Sequence, residues 1–512
     1  MPASAIRLSR VSFAFRADAV VLSEASLHLT PGWTGLVGAN GIGKSTLLRL
    51  LAGDLMPASG EIHVDPRNAR RTLCPQGVEA FSRSIEGLAE RWDGEAQRLR
   101  GRLHLDPDQL ARWPTLSPGE RKRWQIGAAL AAAPDILLLD EPSNHLDAEG
   151  RDLLLAALDD FRGIGVVVSH DRELLDRLTN ETVRLCDGRL QAWSGSYSLA
   201  REEWAMEASR IIDAREALHR QEKALRRRLA AARRRQAAAS TNRRRHAAPR
   251  DSDARSMEIK NKQAKAQASA GRTAEVIRHS LDRTAEELGA LPVKREKGGT
   301  VRVSAGSPAA RRLLQVDADR LGVPRSTGAP GDAVVVLRDV HLVVHHEDRI
   351  WVCGRNGSGK TTLLAALLAS AGEGSRARVL HLPQELPPEA GVALLDDVRG
   401  LDPEQRGQVL QRVATLGVDP ERQLASAQPS QGEARKLLIA YGLGREVAGL
   451  VLDEPTNHLD LPSIERLEDA LAEYPGALVL VTHDAGLARR VTSEAWTIED
   501  GRVIQETSPE PT

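Results

Sequence analysis

At 512 residues the chain exceeds one ordinary domain and has room for two of about 200 residues plus a connector. Its 70 Lys and Arg balance 70 Asp and Glu, so net charge designates no partner and only the local distribution can. The three cysteines, Cys74, Cys186 and Cys353, share no metal or redox spacing, no run approaches the roughly 18 apolar residues that span a bilayer, and the N-terminus lacks a basic-then-apolar signal pattern; a cytoplasmic protein without membrane contact is expected.

In the first half, the apolar run TGLV leads into GANGIGKS, Gly38 to Ser45, and then into TLLRLLAG, a strand-loop-helix order. Gly38, Asn40, Gly41, Gly43 and Thr46 belong to a loop whose backbone N–H groups can converge on phosphates at a helix N-terminus. Lys44 can reach the terminal phosphates and Ser45 can ligate Mg²⁺. Gln76 follows a short strand (LCPQ) and can sense Mg²⁺ and a water. The apolar strand ILLLDEP then delivers Asp140 and Glu141 to its C-terminal edge, where open parallel sheets bind ligands. Asp140 can hold Mg²⁺, while Glu141 can orient and deprotonate an attacking water. His170 ends a later strand (VVVSHD) within reach of a γ-phosphate.

Residues 199–300 change character: Ala, Arg, Glu and Gln dominate, as strong helix formers do. Two helices are predicted, from about 199 to 235 and from about 254 to 288, with the turn in the polar stretch around Pro249. From Gln221 to Ala270, 15 Lys or Arg stand against 4 Asp or Glu, with clusters at 226–228, 233–235 and 243–245. Such a surface suits nucleic acid, and the shortage of aromatics favours backbone and shape recognition, hence RNA. Arg243, Arg244, Arg245 and Arg250 are the candidate contacts.

The first half's series then returns. GRNGSGKT supplies Gly354, Asn356, Gly357, Gly359, Lys360, Thr361 and Thr362; HLPQ supplies Gln384; GLVLDEP supplies Asp453 and Glu454; LVTHD supplies His483. The same roles are expected, with Thr361, Gln384 and Asp453 around Mg²⁺, and Glu454 and His483 as catalytic groups. The fold expected is therefore α/β: two tandem P-loop nucleotide-binding domains, 1–198 and 301–505, joined by an α-helical hairpin linker over 199–300, with a disordered tail at 506–512.

The order of phosphate loop, glutamine, Ser-x-Gly-Glu, Asp-Glu and histidine resembles the ATP-binding cassette superfamily. Two cassettes, the strings DEPSNHLD and DEPTNHLD and a charged helical linker resemble its ABC-F subfamily. The resemblance implies ATP and Mg²⁺ as cofactors, ATP hydrolysis, and signature loops that cap the nucleotide of the opposite module. Those loops are LSPGE, with Ser117, Gly119 and Glu120, and PSQGE, with Ser430, Gly432 and Glu433. It implies also that Phe15 stacks on adenine, although a core phenylalanine is an equally good reading. Pro118 stands where glycine is commoner, and Pro429 where leucine is.

ABC-F proteins act on ribosomes, so the resemblance implies a ribosomal partner met through rRNA and peptidyl-tRNA, with 243–253 as the linker tip near the peptidyl-transferase centre. No obligate protein partner is evident, and a monomer with intramolecular cassette pairing is expected. Only about 40 residues separate Gln76 from Ser117, too few for the arm that some translation factors insert there. An armless cassette with a long linker is similar to the antibiotic-resistance members, which displace drugs from the ribosome. The alternatives are a housekeeping factor that resolves stalled ribosomes, the ATPase of a drug exporter, and a DNA-processing clamp.

Overall fold

The computed structural model describes residues 5–16, 19–78, 81–144, 146–245, 253–290, 312–324, 333–371, 379–444 and 447–507. The chain divides into two units, Met1–Ala200 with Lys297–Thr512, and Arg201–Glu296.

In the first unit the strands of the N-terminal half are β1 (Ala5–Ala14), β2 (Val20–Leu29), β3 (Gly32–Val37), β4 (Ser59–Asp65), β5 (Arg71–Cys74), β6 (Ile136–Asp140), β7 (Ile164–Val168), β8 (Glu181–Cys186) and β9 (Arg189–Ser194). The core sheet has the order β5-β6-β7-β3-β8-β9; its strands run parallel except β9. β6 and β7, ILLLD and IGVVV, are buried at every position, as strands covered by helices on both faces must be. Each fully buried Leu or Val there contributes roughly 1.5–3 kcal/mol. A second, antiparallel sheet, β2-β1-β4, packs into the same core through Ile6, Leu8, Leu22 and Leu29.

The C-terminal half repeats the plan. Its strands are β10 (Arg312–Pro324), β11 (Ala333–His345), β12 (Arg349–Gly354), β13 (Val379–Leu382), β14 (Gly449–Asp453), β15 (Ala477–Val481), β16 (Glu494–Glu499) and β17 (Arg502–Thr507). The core sheet, β13-β14-β15-β12-β16-β17, matches the first strand for strand, while β10 and β11 form an antiparallel pair. The duplicated motifs thus stand on duplicated topology. Between the glutamine strand and the acidic strand of each half lies a helical layer, ending in helices Pro118–Ala131 and Gln431–Gly444. Trp113 and Trp124 fill the centre of the first such layer.

Arg349, preceded by the His345–Asp348 turn, is fixed by the ends of two helices. Its guanidinium donates to the carbonyls of Val491 and Tyr474, each at 2.6 Å, and to Leu471. A cation at helix C-termini satisfies carbonyls that have no partner within the helix.

The second unit is built on helices Tyr197–Arg245 and Asp253–Ala290. The first runs about ten residues past its expected end. Its Ala- and Arg-rich sequence holds no Gly or Pro before Pro249, and Ser240 and Thr241 weaken a helix too little to end it. Ion pairs one turn apart, Glu222 with Arg226 and Arg283 with Glu287, add a few tenths of a kcal/mol each. No helix among the described residues is long and apolar enough to cross a membrane.

Candidate nucleotide sites

Each phosphate loop joins the end of a central strand to a helix: β3 to Lys44–Ala52, and β12 to Lys360–Ala369. The last loop residue must be glycine. Gly43 has φ 111° and a Cβ there would stand 2.1 Å from Val21 Cγ1; Gly359 has φ 106° and would meet Val336 Cγ1 at 2.6 Å. Lys44 Nζ donates to the carbonyls of Gly38 at 2.7 Å and Ala39 at 3.1 Å, and Lys360 Nζ to those of Gly354 and Arg355 at 2.7 and 2.9 Å. Both lysines therefore curl over their own loops. Burial lowers the pKa of Lys44 against the pull of Glu141, Asp460 and Asp140.

Asp140 and Asp453 end the acidic strands, and the next residue turns into left-handed backbone, with φ 49° at Glu141 and 48° at Glu454. For a non-glycine this costs about 1–3 kcal/mol and persists only where the surroundings enforce it. Here the glutamate N–H groups donate to Val168 O at 2.8 Å and Val481 O at 2.9 Å, on the neighbouring strands. Each carboxylate then accepts from a histidine N–H: Glu141 from His170 at 3.3 Å and Glu454 from His483 at 3.4 Å. The imidazole Nε2 atoms stand 3.2 and 3.3 Å from the other glutamate oxygens.

This closeness does not make an ion pair. Burial pushes Glu141 up to about 8, opposed by Lys44 and assisted by Asp140; burial and Asp453 push Glu454 up to about 8. Burial, then the charges of Lys44 and Lys360, hold His170 down at about 3 and His483 at about 4. Both partners are neutral at pH 7. In the second half Thr361 Oγ1 donates to Asp453 Oδ2 at 3.0 Å, which brings a hydroxyl and a carboxylate together.

The two Ser-x-Gly-Glu segments are helix starts. Ser117 is the N-cap of Pro118–Ala131, its Oγ accepting from Glu120 N at 3.2 Å while Glu120 Oε2 accepts from Ser117 N and Oγ, each at 2.8 Å. Ser430 and Glu433 do the same at 3.3, 2.9 and 2.7 Å. The glutamates thus hold the serines through a capping box. Pro118 falls at the first position of its helix, where a fixed φ suits the backbone and no N–H is missed. At Gly432 a Cβ would stand 2.7 Å from His458 O, so the chain closes tightly there.

A buried cation on each signature helix was not singled out from the sequence. Lys122 Nζ donates to Pro75 O at 2.7 Å, Gln76 O at 3.2 Å and Asp140 O at 3.3 Å. Five residues after Ser430, as Lys122 is after Ser117, Arg435 donates to Pro383, Gln384, Asp453 and Glu454 carbonyls at 3.3, 2.7, 3.1 and 2.5 Å. The only signal was a basic residue at the same offset in both halves.

One cleft of about 1550 Å³ runs between the halves. Asn40, Gly41, Gly43, Lys44, Ser45, Thr46, Gln76, Asp140, Glu141 and His170 line it with Asn356, Gly357, Gly359, Lys360, Thr361, Thr362, Gln384, Asp453, Glu454 and His483. Ser117, Ser430, Gly432 and Glu433 also face it, whereas Gly38, Gly354, Gly119, Glu120 and Phe15 do not line it. Phe15 is 61% exposed and edge-on to Phe13 at 5.1 Å, so it is not a core residue. The halves meet reciprocally: Asn40 N–H donates to Asp460 Oδ2 at 2.9 Å and Asn356 N–H to Asp147 Oδ2 at 3.2 Å. Of the linker candidates, Arg250 lies outside the described residues, and Arg243, Arg244 and Arg245 are described only as helical backbone.

A family model described as ABC transporter matches residues 22–144 and 337–457. The tylosin resistance ATP-binding protein TlrC of Streptomyces fradiae is 32% identical over 95% of this chain and 96% of its own length. The chain is an ABC-F ATP-binding protein. Other ABC-F relatives are the ribosome protection protein VmlR of Bacillus subtilis, 29% identical over 99% of this chain and 89% of its own, and the energy-dependent translational throttle protein EttA of Mycobacterium tuberculosis, 28% identical over 94% and 90%. An archaeal ribosome recycling factor solved with a stalk protein has the same tandem fold, with TM-score 0.59 at 18% identity over 97% of this chain and 90% of that one. This ABC-F protein is an ATPase, with both cassettes facing one cleft.

Proposed function

We propose that this ABC-F ATPase binds the ribosome in its ATP-closed state and protects it from ribosome-targeting antibiotics by displacing the drug. The observation that carries this reading is the end-to-end likeness to a tylosin resistance protein and a ribosome protection protein. Cassettes at 1–198 and 301–505 close on ATP, and the linker over 199–300, Arg243, Arg244, Arg245 and Arg250 included, approaches rRNA and peptidyl-tRNA near the peptidyl-transferase centre. The protein works in the cytoplasm as a monomer.

Phosphate-loop N–H groups with Lys44 and Lys360 bind the phosphates, and Ser117 and Ser430 cap the nucleotide of the opposite cassette. Glu141 and Glu454 orient the attacking water and, in their ionised form, accept its proton; burial that holds the carboxyls at about 8 keeps most of them protonated at pH 7 in the nucleotide-free protein, so proton acceptance strengthens as pH rises toward 8. His170 and His483 hold those carboxylates from the other side. Ser45, Thr361, Gln76, Gln384, Asp140 and Asp453 line the cleft and each carries an oxygen able to ligate a hard cation such as Mg²⁺, and the Thr361–Asp453 contact supports this fit. When bound, Mg²⁺ neutralises phosphate charge.

The test is co-sedimentation of E141Q/E454Q with 70S ribosomes, with and without ATP, followed by inhibitory concentrations for a ribosomal drug panel in an expressing strain. ATP-dependent pelleting and a raised inhibitory concentration support the proposal, and absence of pelleting by an ATP-binding protein sinks it. The likeness to a translational throttle protein favours a second reading, a translation factor; pelleting with a drug-free translation defect and no resistance would select it.

A further inference from the structure

Opposite the two catalytic glutamates the cassette interface is not symmetric. Arg151, four residues beyond Asp147 on helix Ala148–Leu158, has a side chain only 9% exposed. Within its own cassette it pairs with Asp171 at 3.3 Å and Glu173 at 2.9 Å, directly after His170. Its Nη1 also donates, at 3.4 Å, to the carbonyl of His483 in the other cassette. The same peptide segment is held from its other side by Glu454, which accepts from His483 N–H. The histidine loop of the second site is thus fixed between its own glutamate and an arginine of the first cassette.

The equivalent of Arg151, four residues beyond Asp460, is Ile464, which is buried and carries no donor. A second contact is one-sided in the same sense. Arg172, two residues after His170, donates to Glu468 of the second cassette at 2.6 Å, and Glu468 also holds Arg490 at 3.0 Å. The counterpart of Arg172 is Ala485. Both cations come from the first cassette and act on the second.

We infer that Arg151 is a positioning residue that makes the two ATP sites unequal: it couples the histidine loop of the first site to that of the second, and no reciprocal bond exists among the described residues. The second site reaches its hydrolytic geometry only when the first cassette is docked with Arg151 in place, whereas the first site does not depend on an equivalent donor. The inference rests on the assignment of Glu141 and Glu454 as the hydrolytic carboxylates.

Steady-state ATPase of Arg151→Met and Arg151→Lys, each in the E141Q and the E454Q background, tests it. With E141Q, only the second site turns over, and Arg151→Met is expected to lower kcat roughly tenfold with little change in KM, the pattern of a lost transition-state constraint. With E454Q, kcat is expected to stay within about twofold. Arg151→Lys keeps a cation for Asp171 and Glu173, preserves folding if the Met variant does not, and is expected to show the same split in weaker form. Equal losses in both backgrounds, or none in either, would overturn the inference. If E141Q/E454Q itself turned over ATP, the glutamate assignment would fail instead, before Arg151 is judged.

Discussion

Asp460 uses its two carboxylate oxygens for different partners: Oδ1 accepts from Ser463 N at 3.0 Å and caps its own helix, while Oδ2 accepts at 2.9 Å from Asn40 N, 420 residues away in the opposite phosphate loop. Asp147 repeats this with Gly150 at 2.9 Å and Asn356 at 3.2 Å. The end of each acidic motif therefore connects local helix formation to closure of the pair.

Serine separates the two duties, because it caps a helix about as well as aspartate but has a single oxygen. D147S/D460S is expected to keep its unfolding free energy within about 1 kcal/mol of wild type. Its turnover should fall roughly tenfold, the equivalent of one charge-assisted bond of about 1.5 kcal/mol lost at each of the two phosphate loops. Urea denaturation read beside steady-state ATPase checks both. A large stability loss with unchanged turnover would assign these aspartates to capping alone.

Glu141 and Glu454 give the nucleotide-free protein a pH signature. Their folded pKa of about 8 lies above the ordinary 4.5, so between those values the folded chain holds protons that the unfolded chain has released. Stability contributed by these groups therefore falls as pH rises from 4.5 to 8, by at most about 1.4 kcal/mol per unit for each, and levels off above. His170 and His483, held at about 3 and about 4, act oppositely and lose stability as pH drops below 6.5. E141Q/E454Q cannot ionise at these positions. Relative to wild type, it should be more stable at pH 8.5 than at pH 5 by at least about 2 kcal/mol; an unchanged difference between the two pH values would contradict burial as the cause.

Lys122 and Arg435 tie the carbonyls after the glutamine strand to those ending the acidic strand. Replacement by Met leaves several buried carbonyls without donors, each worth about 1–3 kcal/mol. K122M and R435M are expected to lower the denaturation midpoint and the ATPase rate together. Since the halves use different cations at one position, the swaps K122R and R435K should retain most of both. Failure of the swaps would mean that each site is shaped for its own side chain.

What could be read in advance was local. Gly43, Lys44 and Ser45, or Asp140 and Glu141, declare themselves because strand, loop and helix follow within a few residues and the geometry is fixed by adjacent backbone. The Asn40–Asp460 and Arg151–His483 contacts were not legible, since they depend on how two separately folded halves meet. Glu120 and Glu433 read as nucleotide ligands by motif, yet their carboxylates serve Ser117 and Ser430, a division that only the capping geometry reveals. The first linker helix outlasts its expected end near 235 because Ser240 and Thr241 weaken a helix too little to stop it, and the surrounding Ala and Arg carry it to Arg245.

The linker arginines make a prediction that needs only charge. If Arg243, Arg244 and Arg245 each neutralise one RNA phosphate, every contact releases condensed counterions, and affinity falls steeply with salt. Replacing the three by Gln should weaken ribosome binding and make the slope of log K against log salt shallower by roughly two units. Measuring ATP-dependent binding of the E141Q/E454Q background between low and moderate salt provides the slope. Resistance conferred by the otherwise wild-type chain should fall with it in drug-panel assays. An unaltered slope would make the cluster a solvated helix face, and the ribosomal contact would then have to be sought elsewhere along the linker, at 226–228 or 233–235.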